Sequence, residues 1–492
     1  MVTDSDSAIV AIKQANRHLQ ENQFSQALTV LLDARRCSPD SLILFPHTIR
    51  CLMFVGEHAR AGQLLDEYQS RANTDLRHLA ECAQLMTQCQ KIPTGVEIYR
   101  ELAKSGDRDA RYNLAANLVA VGEIAEAESV LQNLLEQFPT DGQAQQVLSG
   151  LEKATREKNS VDRVLAMLSR SSLPVSERIQ LHFALGKELE DLGEYDQAFS
   201  SFQQGARIRR RGMQYRVEDD VRALALIGDQ HGKAFNAEFE SDIETGLDGS
   251  RMVFVCGLPR SGTTLVDRIL SSHSDCGSLG EITDFPMSLM VTAGKKLTKE
   301  TLIQETAQWS PKAIAAGYLK RINNYPGNSL KLIDKTPLNF LYAGLIARSM
   351  PSSTTIWMER HPMDSCFGMF KTLFQMGYPF SYDLKELGFY YVAYWNLKER
   401  WRTSLANSVT FQRYEDLVHH FDRDARALVE RIGLDWEESC GDFHKNKSAV
   451  ATASSAQVRS PLYKTAVERW RHYESQLAPL AEQLERAGIP LD

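Results

Sequence analysis

A short pattern returns about every 34 residues through the first 200 residues of the chain. Each copy starts with Gly, Asn or Gln and places Ala or Gly five residues later. The small residues Ala27, Ala61 and Gly95 are 34 residues apart, and Ala127 follows 32 residues later. Such a period predicts stacked copies of one helix–turn–helix unit, because a single unit cannot bury its own apolar face. The copies start at residues 22, 56, 90, 122 and 193.

Each element of the pattern has a physical role in a helical pair. The small residue lets two antiparallel helices approach closely, and the aromatic or aliphatic residue beside it fills the remaining space. Pro39 and Pro139, each 12 residues after a small residue, stop the second helix. The pattern resembles the tetratricopeptide repeat (TPR), a 34-residue unit. This resemblance implies an α-helical solenoid of five or six units, with one divergent unit around residues 161–168.

The pattern of apolar residues changes after residue 251. Short, β-branched apolar runs now alternate with helical stretches, which is typical of a mostly parallel sheet flanked by helices. We therefore predict a multidomain α plus α/β chain: a helical repeat domain over residues 1–216, a linker helix over 217–249 and an α/β domain over 250–492. The predicted strands lie at residues 252–258, 332–334, 354–358 and 409–412.

Charge and composition argue against several classes of function. A net charge of −7 over 492 residues argues against a nucleic-acid partner, which usually requires a basic face. No uncharged apolar run approaches the ~18 residues that a membrane span needs. The eight cysteines lack C-x-x-C spacing, so we expect buried free thiols and no zinc site. Together these features predict a cytoplasmic protein without a membrane span.

A phosphate-binding loop follows the first predicted strand. A strand that runs through a glycine-containing turn into a helix presents backbone N–H groups to a phosphate. Gly257 and Gly262 keep the spacing of the loop of nucleoside triphosphatases, but Thr263 stands where that loop has its lysine. This replacement argues against a kinase or a triphosphate-hydrolysing motor. The candidate phosphate-binding residues are Pro259, Arg260, Ser261, Gly262, Thr263 and Thr264.

The sequence GLPRSGTTLVDRIL at residues 257–270 resembles the 5′-phosphosulfate loop of sulfotransferases. These enzymes use 3′-phosphoadenosine 5′-phosphosulfate (PAPS). The resemblance covers roughly residues 251–485 and implies a P-loop-like α/β domain, PAPS as donor, 3′,5′-bisphosphoadenosine as product, and no metal. With the repeats, the chain resembles TPR-containing sulfotransferases related to protein-tyrosine sulfotransferases. Further matching stretches follow in order at residues 279–281, 334–339, 360–364, 414–417 and 452–463.

The resemblance assigns catalytic roles to three residues. Glu281, after a strand-like run at residues 276–280, matches the general base. Lys335 matches the cation for the bridging oxygen of the leaving phosphate, and Arg260 the group that holds the 5′-phosphate and the sulfuryl oxygens. The residues alone leave other roles open. Glu281 fits a helix-capping carboxylate, and the two cations fit ordinary salt bridges.

A second phosphate site is implied around Arg360, which ends a predicted strand and matches the ligand of the 3′-phosphate. The family commonly has a serine eight residues later, where this chain has Gly368, and Ser365 is a candidate substitute. Ser454 and Arg459 match further nucleotide contacts. Ser454 would donate to the sulfuryl group or the leaving phosphate, and Arg459 would help to bind the 3′-phosphate.

The predicted activity is transfer of a sulfuryl group from PAPS to a hydroxyl acceptor. Because repeat grooves often bind extended peptides, a protein acceptor such as a tyrosine is favoured, while a saccharide, a lipid or a small phenol stays open. Two alternatives remain. One is a P-loop kinase-like nucleotide enzyme, and the other is a TPR scaffold with an inactive sulfotransferase-like domain. The retained Arg260, Glu281, Lys335 and Arg360 argue against the second.

Overall fold

The computed structural model describes residues 4–72, 75–236, 248–325, 327–450, 452, 457–462 and 465–491. Antiparallel helical pairs fill its N-terminal part and form the predicted solenoid. These helices are α1 Asp4–Gln20, α2 Phe24–Cys37, α3 Leu44–Val55, α4 His58–Arg71, α5 Leu76–Gln88, α6 Ile92–Ala103, α7 Arg108–Val121, α8 Ile124–Gln137, α9 Gly142–Leu151, α10 Val161–Leu168, α11 Val175–Asp191 and α12 Tyr195–Arg211.

The turn between paired helices explains the repeated pattern. The Gly, Asn or Gln that starts each copy has a left-handed backbone, with φ between 58° and 88°. Glycine adopts this conformation without strain, and Asn tolerates it better than most residues. The small residue five positions later, such as Ala27 or Ala61, is fully buried where the two helices touch. The residues with positive φ are Asn22, Gly56, Gln90, Gly122 and Gly193.

A five-stranded, all-parallel sheet forms the centre of the C-terminal part, as predicted. Its strands are β1 Met252–Gly257, β2 Cys276–Gly280, β3 Lys331–Asp334, β4 Thr354–Glu359 and β5 Val409–Arg413. The strand order is β2-β3-β1-β4-β5. The central strand β1 is buried along its whole length, which suits its continuous apolar sequence. All five carboxyl ends lie at one edge of the sheet, where folds of this kind bind ligands.

Helices cover both faces of the sheet. Helix α13 precedes the first strand and packs against α16 and α20. Short 3₁₀ helices lie at Pro337–Tyr342, Pro379–Tyr382, Phe443–Lys445, Gln457–Arg459 and Arg469–Tyr473. The α-helices are α13 Val217–Asn236, α14 Thr263–Ser271, α15 Asp284–Ala293, α16 Lys299–Gln308, α17 Pro311–Ile322, α18 Ala343–Ser349, α19 Pro362–Phe370, α20 Leu384–Ser404, α21 Tyr414–His419, α22 Phe421–Arg431, α23 Glu438–Gly441 and α24 Glu474–Arg486.

The hydrophobic cores do not follow the repeat pattern. Helices α1 to α8 share a core that runs from Ala8 to Ala127. Helices α10 to α13 instead belong to one continuous core with the C-terminal part, in which Phe199 packs against Phe370 and Tyr473. The last helical pair is therefore built into the α/β domain.

Three successive repeat turns also contact the C-terminal part through polar groups. Arg321 donates to the carbonyls of Phe54 and Met53, beside Gly56. The Gln90 amide donates to the carbonyl of Leu279 in β2. Arg459 donates to the carbonyl of Ala120, beside Gly122. Two of these contacts satisfy carbonyl groups that a helix end leaves unpaired.

The cysteines follow the sequence-based expectation in part. Cys51, Cys82, Cys256, Cys276, Cys366 and Cys440 are buried free thiols. Cys37 is exposed and Cys89 is half-buried, so these two depart from it. Within the described ranges, no helix combines the length and the apolar character needed to cross a membrane.

Candidate active site

A cavity of about 690 Å³ opens at the carboxyl ends of the strands, between the sheet and the repeat helices. One wall comes from the phosphate loop, the start of α19 and the C-terminal segment. The opposite wall comes from α5, α7 and α9 of the repeat domain. The repeat helices and the C-terminal part therefore both contribute walls to the cavity. Of the residues predicted from the sequence, it is lined by Pro259, Arg260, Gly262, Thr263, Thr264, Glu281 and Arg360.

The phosphate loop is shaped by close backbone approach. A Cβ atom on Gly257 would lie 2.5 Å from the carbonyl of Met358, and one on Gly262 would lie 2.6 Å from the Tyr414 ring. Gly257, Arg260 and Gly262 all have positive φ. The chain then enters α14 at Thr263, so the first N–H groups of this helix face the loop. A larger residue at Gly257 or Gly262 would therefore clash with the Met358 carbonyl or with the Tyr414 ring.

Two buried donors at this loop fit an anionic group. The Ser261 hydroxyl and the Arg360 Nε–H are buried, and neither has a hydrogen-bond partner among the residues that the structure describes. Buried polar groups normally find a partner, because leaving one unpaired costs about 1–3 kcal/mol. A phosphate or phosphosulfate group in the cavity would supply acceptor oxygens. The residues present therefore fit the nucleotide that the sequence predicts.

Arg360 lines the cavity and also donates hydrogen bonds that hold the phosphate loop in place. Its Nη1 donates to the carbonyl of Arg260 at 2.8 Å, and its Nη2 donates to the carbonyl of Ala466. The guanidinium lies 4.7 Å from the centroid of the Tyr414 ring, a cation–π contact. Arg360 thus ties the phosphate loop to the C-terminal segment.

Glu281 and Lys335 meet because β2 and β3 are adjacent parallel strands that end at the same edge. The Lys335 Nζ lies 2.5 Å from Glu281 Oε1. The lysine side chain is 1% exposed, whereas the glutamate side chain is 43% exposed and reaches the cavity. The salt bridge that the sequence left open for Lys335 therefore exists, and its partner is the candidate base.

Neighbouring groups hold this pair in place. The Lys335 N–H donates to the carbonyl of Gly280 at 3.0 Å, and the Ile282 N–H donates to the Thr336 hydroxyl at 3.1 Å. Asp267 of α14 accepts a hydrogen bond from Ser278 and interacts electrostatically with Lys335. Burial raises the pKa of Asp267, and Lys335 opposes that rise. A buried lysine requires such compensating charge.

The structure describes one of the two C-terminal residues that the sequence predicts to contact the nucleotide. Ser454 falls outside the described residues. The Arg459 Nη2 lies 2.6 Å from the Ala120 carbonyl, at the end of repeat helix α7. Its role in phosphate binding stays a prediction. Gly368 lies under the stem of Arg260, because a Cβ there would be 3.3 Å from the Arg260 Cβ. The serine that the family commonly has at this position would require the Arg260 side chain to shift by a few tenths of an ångström.

Several lining residues were missed by the sequence analysis. Lys371 and Arg469 add positive charge to the cavity, and Asn117 of α7 receives a hydrogen bond from Thr87 of α5 on the opposite wall. Lys371 could have been found, since it lies three residues after Gly368 and hence on the same helical face. Asn117 could not, because the repeat period does not show which face of the solenoid meets the other domain.

Much of this chain is similar in sequence to known proteins. Residues 252–438 match the family model of the sulfotransferase family. An uncharacterized protein of Aquifex aeolicus (strain VF5) is 29% identical over 388 residues, which cover 76% of this chain and 50% of that protein. The chain thus spans half the length of that relative.

A putative protein-tyrosine sulfotransferase of Caenorhabditis briggsae is 24% identical over 229 residues, covering 45% of this chain and 80% of that protein. Among solved structures, the sulfotransferase domain of the Synechococcus PCC 7002 olefin synthase has 20% identity and a TM-score of 0.34. That match covers 48% of this chain and 94% of the other.

Proposed function

We propose that this chain, which combines a TPR-type helical domain with a sulfotransferase-family domain, transfers a sulfuryl group from PAPS to a hydroxyl acceptor. The observation that carries the proposal is that Glu281, which is paired with Lys335, lines the same cavity as a lysine-free phosphate loop. Sulfuryl transfer needs a base for the acceptor and cations for the leaving oxygen. Glu281 and Arg260 line one cavity, and Lys335 lies directly behind Glu281.

The phosphate loop would hold the donor. Its N–H groups, the hydroxyls of Ser261, Thr263 and Thr264, and the Arg260 guanidinium would bind the 5′-phosphate end, with Arg360 toward the second phosphate. When bound, PAPS supplies a sulfuryl group attached to a phosphate leaving group. The fixed orientation of the loop means that little reorganisation is needed when charge develops.

Glu281 and Lys335 would have different roles in the reaction. Glu281, on the exposed side of the pair, accepts the proton of the acceptor hydroxyl. Lys335, behind it, directs its ammonium toward the oxygen that gains negative charge. Their contact in the structure places the carboxylate and the ammonium side by side at the edge of the cavity.

We further propose a protein acceptor, with a tyrosine hydroxyl as the reacting group. The repeat helices contribute Thr87, Tyr112, Asn117 and Gln146 to the cavity wall that lies opposite the phosphate loop, and repeat helices of this type often bind extended peptides. The C. briggsae relative, named a putative protein-tyrosine sulfotransferase, supports the same acceptor class.

Transfer of labelled sulfate from PAPS into tyrosine-containing peptides tests the proposal. We expect incorporation by the wild-type chain, and a loss of turnover of about 10²–10⁴ in Glu281→Gln, the range for a general base. Nucleotide affinity measured by calorimetry should stay nearly unchanged in this variant. Glu438→Gln, a change at an exposed carboxylate, is the matched control and should keep full turnover.

Two results would contradict the proposal. Magnesium-dependent ATP turnover without sulfate transfer would favour the kinase-like alternative. Near-normal turnover of Glu281→Gln would show that another group takes the proton and that Glu281 serves only the structure.

A further inference from the structure

A loop of uncharged residues, 373–378, follows α19 and lines the cavity. Its Met376 is 87% exposed, and Leu373, Phe374 and Tyr378 are only partly buried. A single exposed apolar side chain is ordinary, but several within one loop beside a cavity mark a contact surface. The loop lies outside the phosphate sites that the sequence predicts, so its apolar surface needs a separate explanation.

Hydrogen bonds from two directions hold the backbone of this loop. The Phe374 N–H donates to the Tyr382 hydroxyl at 2.9 Å, and that hydroxyl donates to the Phe374 carbonyl at 3.1 Å. Arg209 of α12 donates to the carbonyl of Gln375 at 3.2 Å, and Arg209 itself is outside the described lining of the cavity. The loop is therefore shaped before a ligand arrives, which limits the conformational entropy lost on binding.

Tyr378 has a left-handed backbone, with φ 50° and ψ 42°, directly after Gly377. An aromatic residue rarely adopts this conformation, and such strain concentrates at functional sites. The ring packs against Phe374 and Phe380 at centroid distances of 4.7 and 6.2 Å. Its hydroxyl makes no hydrogen bond with any residue that the structure describes. Burial raises the pKa of Tyr378 and the Glu281 carboxylate adds to this rise, so the phenol keeps its proton and can donate.

The cavity wall opposite the phosphate loop is also uncharged. We call the cavity-lining residues of α5, α7 and α9 the repeat wall, and none of those that the structure describes carries a charge. The Gln90 amide, just after α5, donates to the carbonyl of Leu279, two residues before Glu281. The repeat wall therefore lies beside the candidate base, as the 373–378 loop does through Tyr378. Its apolar members are Ala116, Val119, Ala120, Val147 and Leu151.

The cations of the cavity lie on the side that we assign to the nucleotide. Lys371 is close to the loop in sequence, but it donates to Glu190 of α11 at 2.7 Å, and Arg469 lies 3.5 Å from the same carboxylate. Among the described lining residues, Glu281 is thus the one charged group that we assign to the acceptor side. The cations that line the cavity are Arg260, Arg360, Lys371 and Arg469.

We propose that the 373–378 loop and the repeat wall form a subsite for an acceptor peptide whose residues beside the tyrosine are apolar and uncharged, and that the Tyr378 hydroxyl donates to a backbone carbonyl of that peptide. This inference rests on the proposed function and names the class of its acceptor. An apolar side chain gains free energy by leaving water between two uncharged surfaces. An acidic side chain would lose hydration there without meeting a cation, and it would lie near Glu281.

Three peptides that differ only in the residues beside one tyrosine test this proposal, with the full-length chain and PAPS as donor. These residues are leucine in the first peptide, glutamate in the second and lysine in the third. We expect kcat/KM for the leucine peptide to exceed that for the glutamate peptide at least about tenfold, the effect of burying one leucine side chain. The lysine peptide should also fall below the leucine peptide, since it too brings a charge onto apolar surface.

Met376→Lys tests whether the loop sets this preference. The side chain is exposed, so the substitution leaves the core intact. The added cation should lower KM for the glutamate peptide about two- to fivefold, the range for an exposed ion pair, and raise KM for the leucine peptide. Leu330→Lys is the matched control, because it adds the same charge at a 61% exposed residue just before β3, at the amino end of the sheet. It should change neither KM.

Tyr378→Phe tests the hydrogen bond, because it keeps the ring and removes only the hydroxyl. We expect KM for the leucine peptide to rise about two- to tenfold, the range for one hydrogen bond, with kcat and the affinity for 3′,5′-bisphosphoadenosine unchanged. A fall in kcat at constant KM would contradict a role in peptide binding. Calorimetry with the bisphosphate also shows that each variant is folded.

The outcomes separate the two proposals. A wild-type chain that transfers sulfate to none of the three peptides contradicts the proposed function. Transfer that favours the glutamate peptide, or a preference that Met376→Lys leaves unchanged, contradicts only this inference. Transfer to a small phenol with the same kcat/KM as to the leucine peptide would contradict the peptide as occupant of the subsite.

Discussion

The first eight helices and the last helical pair carry the same repeat pattern but relate to the α/β domain in different ways. Helices α1 to α8 have their own core and contact the other domain mainly through polar groups at their turns. Helices α11 and α12 have no separate core, because their apolar faces belong to the core of the α/β domain. The repeat period thus reports how helices pair, but not which core they join.

This difference divides the repeat domain by function. The first eight helices supply much of the repeat wall of the cavity, opposite the phosphate loop. The last pair supplies Glu190 and part of the interior that supports α19. We therefore expect the first group to affect acceptor binding and the second to affect folding and nucleotide binding.

Truncation should give the largest effect. A chain of residues 141–492 loses the separate core but keeps α9 to α12, so we expect it to be soluble and to bind 3′,5′-bisphosphoadenosine. Its KM for a peptide acceptor should rise, because binding energy remote from the reacting group is lost. A chain of residues 217–492 would expose apolar residues such as Phe367, Phe370 and Tyr473, and we expect it to aggregate.

Solubility, circular dichroism and calorimetry on the two truncated chains check this prediction. The boundary at residue 216, which the periodicity suggests, would be the folding boundary if residues 217–492 stayed soluble and bound the nucleotide. An unchanged acceptor KM in residues 141–492 would contradict the role of the first eight helices in acceptor binding.

Two buried phenylalanines allow the same comparison within the full chain. Phe199→Ala removes a ring that packs 5.6 Å from Phe370, in the shared core. Phe45→Ala removes a ring stacked 5.1 Å from Tyr68, in the separate core. Each should cost about 3–5 kcal/mol locally. Only Phe199→Ala should lower the denaturant midpoint when nucleotide binding is the probe. Equal midpoints would mean that the chain unfolds as a single unit.

Much of this architecture follows from the sequence. The period predicts the helical pairs, and the run from Gly257 to Thr264 predicts the strand–loop–helix turn that we assign to phosphate binding, because both depend on local patterns. Glu281 and Lys335 were found as separate residues, yet their contact depends on the pairing of β2 and β3. Glu190 was not found, since nothing near it in the sequence shows that its carboxylate would meet Lys371, 181 residues away.

The smallest expected effect concerns two glycines at the same position of the repeat. Gly122 and Gly193 have φ values of 88° and 82°, so alanine at either one should cost about 1–2 kcal/mol from the left-handed backbone alone. A Cβ at residue 193 meets nothing within 4 Å, whereas a Cβ at residue 122 would lie 2.5 Å from Arg459 Nη1.

The difference in stability between these two variants therefore measures the contact between the first repeats and the C-terminal part. Gly122→Ala should displace Arg459 from the Ala120 carbonyl and lose about a further 1 kcal/mol, the net value of one hydrogen bond. Denaturant midpoints of the two variants measure that excess. Equal losses would mean that Arg459 moves aside without cost and that the turn serves only the repeat. A larger loss in Gly122→Ala, with an altered acceptor KM and unaltered monophosphate affinity, would show that the polar contacts hold the wall in place.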